Sequence, residues 1–249
     1  SAQQLRVSKE GTIGDARIVD TAALASKPIW PKKPIILAAS LVLGFLVSLT
    51  LVWLLKALRV VVEDPEKIEK HLGLPVYATI PRSADEISIS NRAKASKNVA
   101  ELLAISHPED DAIESLRSLR TTIHFALLDS AKGSLLITGP CPGIGKSFIS
   151  KNLGAVLAQT GKRVVVVDAD LRKGHINKEF GFKRDHGVSE YVIGTSAYDS
   201  ILKQTQVPGL TVVTTGQIPP NPSELLMHPR FEQLLEKLGD DFDIVIVDA

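Results

Sequence analysis

Cysteine is almost absent from this chain, since Cys141 is the single cysteine among 249 residues. One cysteine argues against a disulfide scaffold and against a cysteine-rich metal site. An excess of one charge is absent too, because 29 basic and 28 acidic residues leave a formal net charge of +1. That balance argues against the broad basic surface of a nucleic-acid-binding domain, so we expect no nucleic-acid partner.

Two common catalytic signatures are also missing. The histidines do not stand at metal-ligand spacing from one another or from the cysteine. No serine lies in the glycine-flanked elbow of a hydrolase. Hydrophobic residues make up 44% of the chain and charged residues 23%, a composition typical of globular proteins. Its length permits one sizeable domain with an appendage.

A long uncharged run lies near the N-terminus. Residues 35–55 carry no charge over 21 positions, and about 20 apolar residues span a bilayer. Trp30 and Trp53 flank or end the run, as interfacial aromatic residues do. We therefore predict a transmembrane helix over residues 35–58. Lysines stand on both sides of it, so the positive-inside rule does not decide its orientation.

The most informative motif is a glycine-rich loop that separates an apolar strand from a helix. Glycines let the backbone wrap closely around a polyphosphate, and the following helix adds the positive end of its dipole. Lys146 can reach the β- and γ-phosphates, and the Ser147 hydroxyl can ligate Mg²⁺. The spacing is unusual, because five residues separate Gly139 from Gly145 and Pro140 holds the usual first-glycine place. The predicted nucleotide-binding residues are Gly139, Pro142, Gly143, Ile144, Gly145, Lys146, Ser147 and Phe148.

Acidic residues end two further apolar runs. Asp168 and Asp170 follow the apolar run 164–167, and Asp248 follows the apolar run 244–247. Residues at the carboxyl ends of strands in open α/β sheets lie where such sheets bind ligands, and an aspartate there can hold the Mg²⁺ shell of a phosphoryl-transfer enzyme. An aspartate after a strand can equally cap a helix. Three strands with matching ends, in this order, nevertheless indicate a nucleotide site.

Strands and helices alternate from residue 135 onward, which predicts an α/β fold with a doubly wound parallel sheet. The predicted strands cover residues 135–138, 163–168, 210–214 and 243–248. The predicted helices cover residues 109–129, 147–160, 187–194, 197–203 and 222–238. Upstream of these, we predict a short helix from Pro65 to about Leu72, a strand at 74–80 and a flexible linker at 82–100.

Three charged residues stand three positions apart on the predicted helix 109–129. Glu114, Arg117 and Arg120 therefore share one flank of that helix. Without further context, the favoured interpretation is a solvated helix face with a local ion pair.

Taken together, these motifs resemble the bacterial tyrosine kinases (BY-kinases) of the Wzc type, whose membrane half is a polysaccharide co-polymerase. The loop resembles the family's Walker A motif, including its displaced first glycine. Residues 164–172 resemble Walker A′, and residues 244–248 resemble Walker B. Glu114, Arg117 and Arg120 match a Glu-x-x-Arg-x-x-Arg helix that contacts the neighbouring subunit in rings. Further similarities are the segment 219–226 and the prolines Pro28, Pro31 and Pro34.

The resemblance implies a MinD/ParA-like P-loop NTPase fold and ATP-dependent autophosphorylation of tyrosines, with ATP and Mg²⁺ as cofactors. Lys146 would hold the phosphates, and either Asp168 or Asp170 would accept the tyrosine proton. Arg172 would pair with phosphate or with Asp170. The residues implied to organise Mg²⁺ are Ser147, Asp168 and Asp248.

The resemblance also implies a bacterial inner-membrane protein that takes part in exopolysaccharide chain-length control and export. Residues 1–34 would be the periplasmic end of the co-polymerase domain. Residues 59–105 would form a juxtamembrane segment and linker, and residues 106–249 a cytoplasmic kinase domain. The implied partners are further copies of the chain in a ring, the membrane, an outer-membrane polysaccharide export protein and a cognate tyrosine phosphatase.

Members of this family carry further strands and a tyrosine-rich tail after Walker B. This sequence ends at Ala249, and its tyrosines are scattered at Tyr77, Tyr191 and Tyr198. We therefore expect a C-terminally truncated fragment with an uncovered sheet edge. Two other functions stay open: a MinD/ParA-like ATPase switch without protein kinase activity, and a non-catalytic co-polymerase scaffold.

Overall fold

The computed structural model describes residues 30–58, 65–96, 99, 101–127 and 133–249. The chain divides into two compact units, Ser1–Glu63 and Asp64–Ala249. Most of the region predicted to end a periplasmic domain, residues 1–34, lies outside the described residues.

The first unit contains one long helix, α1 (Lys33–Leu58), which by length and composition can cross a membrane. Its leucine and valine side chains from Leu37 to Leu55 are at least half exposed. Two of its hydroxyl groups donate back to the helix itself, with Ser40 Oγ 2.9 Å from the carbonyl O of Leu37 and Thr50 Oγ1 2.7 Å from that of Leu46. Lipid offers no hydrogen-bond partners, so internal bonding of this kind is what a spanning helix requires.

The second unit carries ten helices and five strands within the part of the chain that the structure describes. In chain order they are α2 (Pro65–Leu72), α3 (Ala84–Ser96), α4 (Leu103–Ser106), α5 (Asp111–Leu127), β1 (Gly133–Ile137), α6 (Lys146–Ala158), β2 (Val164–Asp168), α7 (Ile176–Glu179), α8 (Val188–Ile193), α9 (Tyr198–Ile201), β3 (Lys203–Gln204), β4 (Leu210–Val213), α10 (Pro222–Leu226), α11 (Pro229–Asp241) and β5 (Ile244–Asp248).

The strands form one sheet in the order β1-β5-β2-β4-β3. The first four are parallel to one another, and β3 pairs antiparallel with β4. The predicted doubly wound parallel fold is therefore confirmed, with one short antiparallel strand added at an edge. This order places β5 directly between β1 and β2, so the ends of the motif-bearing strands are neighbours.

Both faces of the sheet are covered, which explains why its central strand is a run of valines. All five residues of β2 are buried. One face packs against α5 and α6 through residues such as Leu116 and Leu153, and the other packs against α8, α9 and α11 through residues such as Ile201 and Leu234. Burying each such side chain is worth about 1.5–3 kcal/mol, so the sheet is a firm platform for the residues at its ends.

The predicted flexible linker at 82–100 is wrong over most of its length, because residues 84–96 form α3. The helix has a polar start that the polar composition concealed: Ser83 Oγ accepts a hydrogen bond from the amide of Glu86 at 3.0 Å. Asp85 and Glu86 stand in the first turn, where they complement the helix dipole. The predicted strand at 74–80 is wrong too, since that stretch forms neither strand nor helix.

The predicted helix at 222–238 is two helices, α10 and α11. His228 is extended, with ψ at 138°, because the ring of Pro229 disfavours helical backbone in the residue before it. Pro229 then occupies the first turn of α11, where its missing N–H costs nothing.

Candidate nucleotide-binding and catalytic site

The glycine-rich loop takes a backbone path that only glycine follows easily. Gly143 and Gly145 have φ angles of +78° and +105°, in the left-handed region that side chains rarely adopt. A Cβ at either position would meet nothing within 4 Å. Glycine is therefore required here by the backbone conformation of the loop and not by lack of space. The loop ends where α6 begins, at Lys146.

The first turn of α6 presents amides to the loop. The first backbone bond of this helix runs from the amide of Ile149 to the carbonyl O of Gly145 at 3.0 Å. The amides of Lys146, Ser147 and Phe148 come before it and have no acceptor within the helix. Such a helix start favours an anion, as the predicted phosphate-binding role of these residues requires.

Asp168 and Asp248 are brought together by the sheet. They end β2 and β5 and are direct register partners in that parallel pair. The amide of Ala169 donates to the carbonyl O of Asp248 at 2.8 Å, which ties the two strand ends. Both aspartates are almost fully buried, at 0% and 2% exposure. Two carboxylates so placed need a cation or a proton to compensate their charge.

The Asp168 carboxyl is only partly satisfied by the protein. Its Oδ2 accepts the amide of Ile176 at 3.1 Å, whereas its Oδ1 is buried without a hydrogen-bond partner. Burial raises the pKa of Asp168 to about 7, and the neighbouring Asp248 charge adds to that rise. Gly174 lies against this carboxyl: a Cβ there would come within 2.5 Å of Oδ1 and 2.7 Å of Oδ2.

Asp248 is held by the helix that follows the loop. Its Oδ1 lies 3.0 Å from Ser150 Oγ, and the Ser147 hydroxyl also hydrogen-bonds to this carboxyl. Burial raises the pKa of Asp248, while those two hydroxyls and the nearby Lys146 charge work in the other direction. Walker A-like and Walker B-like residues of this chain therefore contact each other directly.

Asp170 has a different role from Asp168 in the local structure. Its Oδ1 accepts the amides of Arg172 at 3.3 Å and Lys173 at 3.0 Å, and its carbonyl O accepts the amide of Gly174 at 2.6 Å. It thereby shapes the turn after β2. The Arg172 guanidinium lies 3.3 Å from Ser223 Oγ, so it contacts neither the Asp170 carboxylate nor the buried pair.

The donor set suits a hard divalent cation. Carboxylate and hydroxyl oxygens are the ligands that Mg²⁺ prefers, and Asp168, Asp248 and Ser147 supply them within one cluster. The Oδ1 atom of Asp168, which has no hydrogen-bond partner, has lone pairs that a cation could accept. These residues therefore fit Mg²⁺, which would supply charge neutralisation at the phosphates.

Two cavities flank α6. One, of about 400 Å³, lies beside the phosphate loop and is lined by Gly143, Gly145 and Phe148 together with residues 80–83, 86 and 87. The other, of about 660 Å³, is lined by the last turns of α5 and the starts of β1 and β5. It contains none of the predicted nucleotide-binding residues.

The predicted oligomer residues lie on α5. Glu114 and Arg117 form an ion pair with each other. Arg120 lines the cavity at the starts of β1 and β5, whereas the phosphate loop follows the opposite end of β1. Their predicted contact with a neighbouring subunit stays a prediction.

Sequence reasoning missed Ser150, Gly174 and Lys151. Ser150 and Lys151 stand three and four residues after Ser147, so helical spacing places them near its face of α6. That spacing was the available signal for both. Gly174 carried a weaker signal, since its need to be glycine comes from the side chains of Thr215 and Asp168, neither of which is its neighbour in the chain.

Comparison with known proteins agrees with this geometry. The family model described as "G-rich domain on putative tyrosine kinase" matches residues 1–57, and an "AAA domain" model matches residues 137–249. Tyrosine-protein kinase ptk of Acinetobacter johnsonii is 46% identical over 249 residues, covering 100% of this chain and 34% of that protein. Tyrosine-protein kinase etk of Escherichia coli K12 is 40% identical over 257 residues, covering 99% of this chain and 35% of that protein. The chain thus spans about a third of the length of these relatives.

Solved kinase domains share both the sequence and the fold. The BceF tyrosine kinase domain is 42% identical, covers 76% of this chain and 76% of its own, and superposes with a TM-score of 0.71. The kinase domain of the Escherichia coli tyrosine kinase ETK is 44% identical, covers 76% of this chain and 72% of its own, and gives a TM-score of 0.69. The resemblance drawn from the motifs is confirmed by these matches, and the chain belongs to the bacterial tyrosine kinase family.

Proposed function

We propose that this chain carries the ATP-binding part of an inner-membrane protein-tyrosine kinase that autophosphorylates and is coupled to polysaccharide chain-length control and export. The observation that carries the proposal is the meeting of Asp168 and Asp248 in register, with Ser147 hydrogen-bonded to the second of them. Family membership supports the reaction type. Since the chain spans about a third of its relatives, the activity belongs to the whole protein.

Binding would be shared between the loop and the first turn of α6. The Lys146 ammonium would neutralise charge on the β- and γ-phosphates, and the amides at the helix start would bind phosphate oxygens. Ser147 and Asp248 would hold Mg²⁺, with Asp168 completing the oxygen cluster. The three groups are already in contact or in register, so little reorganisation is needed when a nucleotide binds.

In the chemical step, the tyrosine oxygen would form a bond to the γ-phosphorus as the bond to the β,γ-bridging oxygen breaks. ADP would carry away the electron pair of that bond. Asp168 would accept the phenolic proton, because its Oδ1 is buried at the site without a hydrogen-bond partner. Asp170 is the weaker candidate, since its Oδ1 is already engaged with the amides of the turn.

The acceptor tyrosines would lie chiefly on neighbouring copies of the protein. Tyr198 is unsuited, because it is buried and its hydroxyl donates to Asp241 at 2.7 Å. The α5 flank with Glu114, Arg117 and Arg120 would form the contact between copies in a ring. With ATP inside the cell, the second unit would be cytoplasmic and residues 1–34 periplasmic.

The experiment is phosphotyrosine formation by the full-length protein in detergent with ATP and Mg²⁺. We expect Lys146→Met to lower the rate by about two orders of magnitude or more, because one electrostatic donor to a transition state is worth about 100-fold to 1,000-fold. Lys183→Met is the matched control, since Lys183 is exposed in a segment near the edge strand β3, where its carbonyl O accepts from Lys203. Its rate should equal that of the unmodified protein.

The same reaction separates the alternatives. Undiminished phosphotyrosine in Lys146→Met would overturn the assignment of the loop. ATP hydrolysis without phosphotyrosine in the unmodified protein would indicate a MinD/ParA-like switch. The absence of both activities would indicate a co-polymerase scaffold.

A further inference from the structure

A buried lysine lies in the helix that follows the phosphate loop. The side chain of Lys151 is 5% exposed, and its Nζ lies 2.8 Å from Glu86 Oε1 and 2.8 Å from Glu179 Oε2. Burial alone would lower the pKa of Lys151, but the charges of Glu179 and Glu86 outweigh it and raise the pKa. Lys151 is therefore charged and forms ion pairs with both carboxylates.

The three charges come from three different elements. Lys151 stands on α6 one turn after Ser147, so it moves with the residue that contacts Asp248. Glu179 ends α7, whose first residue, Ile176, donates its amide to Asp168. Lys151 and Glu179 are thus linked, through α6 and α7, to the two buried aspartates of the site.

The third residue, Glu86, belongs to neither of these two helices, and it also lines the cavity beside the phosphate loop. Glu86 belongs to α3, in the part of the chain that links the membrane-spanning helix to the nucleotide-binding sheet. The start of α3 is fixed independently, because Ser83 Oγ donates to Asp110 Oδ2 at 2.6 Å and accepts the amide of Glu86. Glu86 is therefore presented to Lys151 from a defined position.

The charge count decides which residue can be neutralised without unfolding the cluster. Two carboxylates face one ammonium, and Glu179 Oε1 also lies 3.3 Å from His175 Nε2. Glu86 Oε2 is buried without a hydrogen-bond partner. Neutralising Glu86 leaves Lys151 paired with Glu179, which His175 also contacts. Neutralising Lys151 would instead leave two partly buried carboxylates together, with His175 beside one of them, which is more costly.

We propose that Glu86 is a positioning residue for nucleotide binding: through Lys151 it holds α6, and with it Ser147, in the geometry that binds ATP. The inference rests on the proposed ATP-binding function of the loop. It makes the segment after the membrane span a contributor to nucleotide affinity, although Glu86 need not touch the nucleotide.

The first test compares Glu86→Gln with Asp85→Asn in the full-length protein. Asp85 is the neighbouring exposed carboxylate in the same first turn, so its variant loses the same charge without touching Lys151. With a fluorescent ATP analogue and Mg²⁺, we expect Glu86→Gln to weaken binding by at least about fivefold, the lower end of coupling between distant groups. Asp85→Asn should bind like the unmodified protein.

The second measurement needs no variant. Coupling is reciprocal, so ATP must stabilise α3 if α3 stabilises ATP binding. Amide hydrogen exchange of residues 84–96 in the unmodified protein should slow when ATP and Mg²⁺ are added, and this slowing should be lost in Glu86→Gln. A purely structural role would lower the melting temperature of Glu86→Gln without either effect.

The outcomes are distinct. Equal nucleotide affinity for Glu86→Gln and the unmodified protein would overturn the inference and leave the proposed function intact, as would unchanged exchange in α3. A failure of the unmodified protein to bind the ATP analogue would overturn both.

Discussion

Asp168 and Asp248 are direct register partners on neighbouring parallel strands, yet their surroundings differ. Asp248 is hydrogen-bonded by Ser147 and Ser150, whereas Asp168 receives one backbone amide and keeps Oδ1 unpartnered. Environments that differ in this way separate the roles of paired carboxyls. One is positioned by the phosphate-loop helix, and the other keeps an oxygen for a cation or a proton.

Gly174 should be intolerant of even one methyl group. An added Cβ would come within 2.2 Å of Thr215 Cγ2 and 2.5 Å of Asp168 Oδ1, so Gly174→Ala must displace the Thr215 side chain, the carboxyl or the turn. We expect phosphotyrosine formation by the full-length protein to fall about tenfold or more, equivalent to about 1.4 kcal/mol of transition-state stabilisation. Lys173→Ala, an exposed change in the same turn, should leave the rate unchanged. Equal rates for the two variants would contradict this reading of Gly174.

Ser150 should matter for stability although it was not predicted as a site residue. Its Oγ is 3.0 Å from Asp248 Oδ1 in a buried setting. Ser150→Ala removes a hydrogen bond to a carboxyl and should lower the free energy of unfolding by about 1.5–3 kcal/mol. Urea unfolding measures this change, with Ser134→Ala, an exposed position on β1, as the control. If both variants unfold at the same urea concentration, Ser150 does not support Asp248.

Glu179 should make stability sensitive to acid. Burial would raise the pKa of Glu179, but His175 and Lys151 outweigh burial and hold that pKa below its ordinary value of 4.5. A carboxyl with a lowered folded-state pKa stabilises the protein above its unfolded-state pKa, and the stabilisation is lost as pH falls through the folded-state value. The melting temperature of Glu179→Gln should therefore lie below that of the unmodified protein at pH 7, and the gap should shrink below about pH 4.5.

The control for this acid effect is Glu109→Gln, an exposed change in the turn between α4 and α5. Its melting temperature should follow that of the unmodified protein at every pH. A gap for Glu179→Gln that stays constant from pH 7 to pH 4 would show that the Glu179 charge does not stabilise the fold.

Arg117 should affect assembly more than folding. It is only partly buried, and its recorded partner is Glu114 on the same helix, so Arg117→Glu should disturb a contact between copies while leaving the monomer folded. Chemical cross-linking of the full-length protein in membranes should show fewer oligomers for this variant. Phosphotyrosine, measured separately on the same membranes, should fall as well. Lys183→Glu, the same charge reversal at an exposed loop position, is the control. Oligomers that survive Arg117→Glu at normal yield would exclude this residue from the interface.

Local patterns predicted the fold well where short-range physics decides the structure. The valine run of β2 and the glycines of the phosphate loop each constrain their own backbone, so strand, loop and helix came out close to their predicted positions. The break at Pro229 was readable as well, since proline disfavours helix in the residue before it. It was overlooked because the apolar spacing continues across it.

Long-range pairing was not readable. Sixty-five residues separate Glu86 from Lys151, and no local pattern selects that partner among the other acidic residues. The same limit hid α3, whose polar composition indicates a linker until Ser83 is found bonded to Asp110. Propensity is a weak prior, and tertiary contacts override it in such segments.

The edge strand β3 affects how the domain can behave when many copies are crowded together. It is two residues long, and its Lys203 ammonium bonds the carbonyl oxygens of Lys183 at 2.9 Å and Asp185 at 2.6 Å. Because this strand is short and its lysine is held by hydrogen bonds, it offers few free backbone groups with which another chain could extend the sheet. Fibrous aggregation should therefore not start at this margin, even at the high local concentration that a membrane-bound array would create.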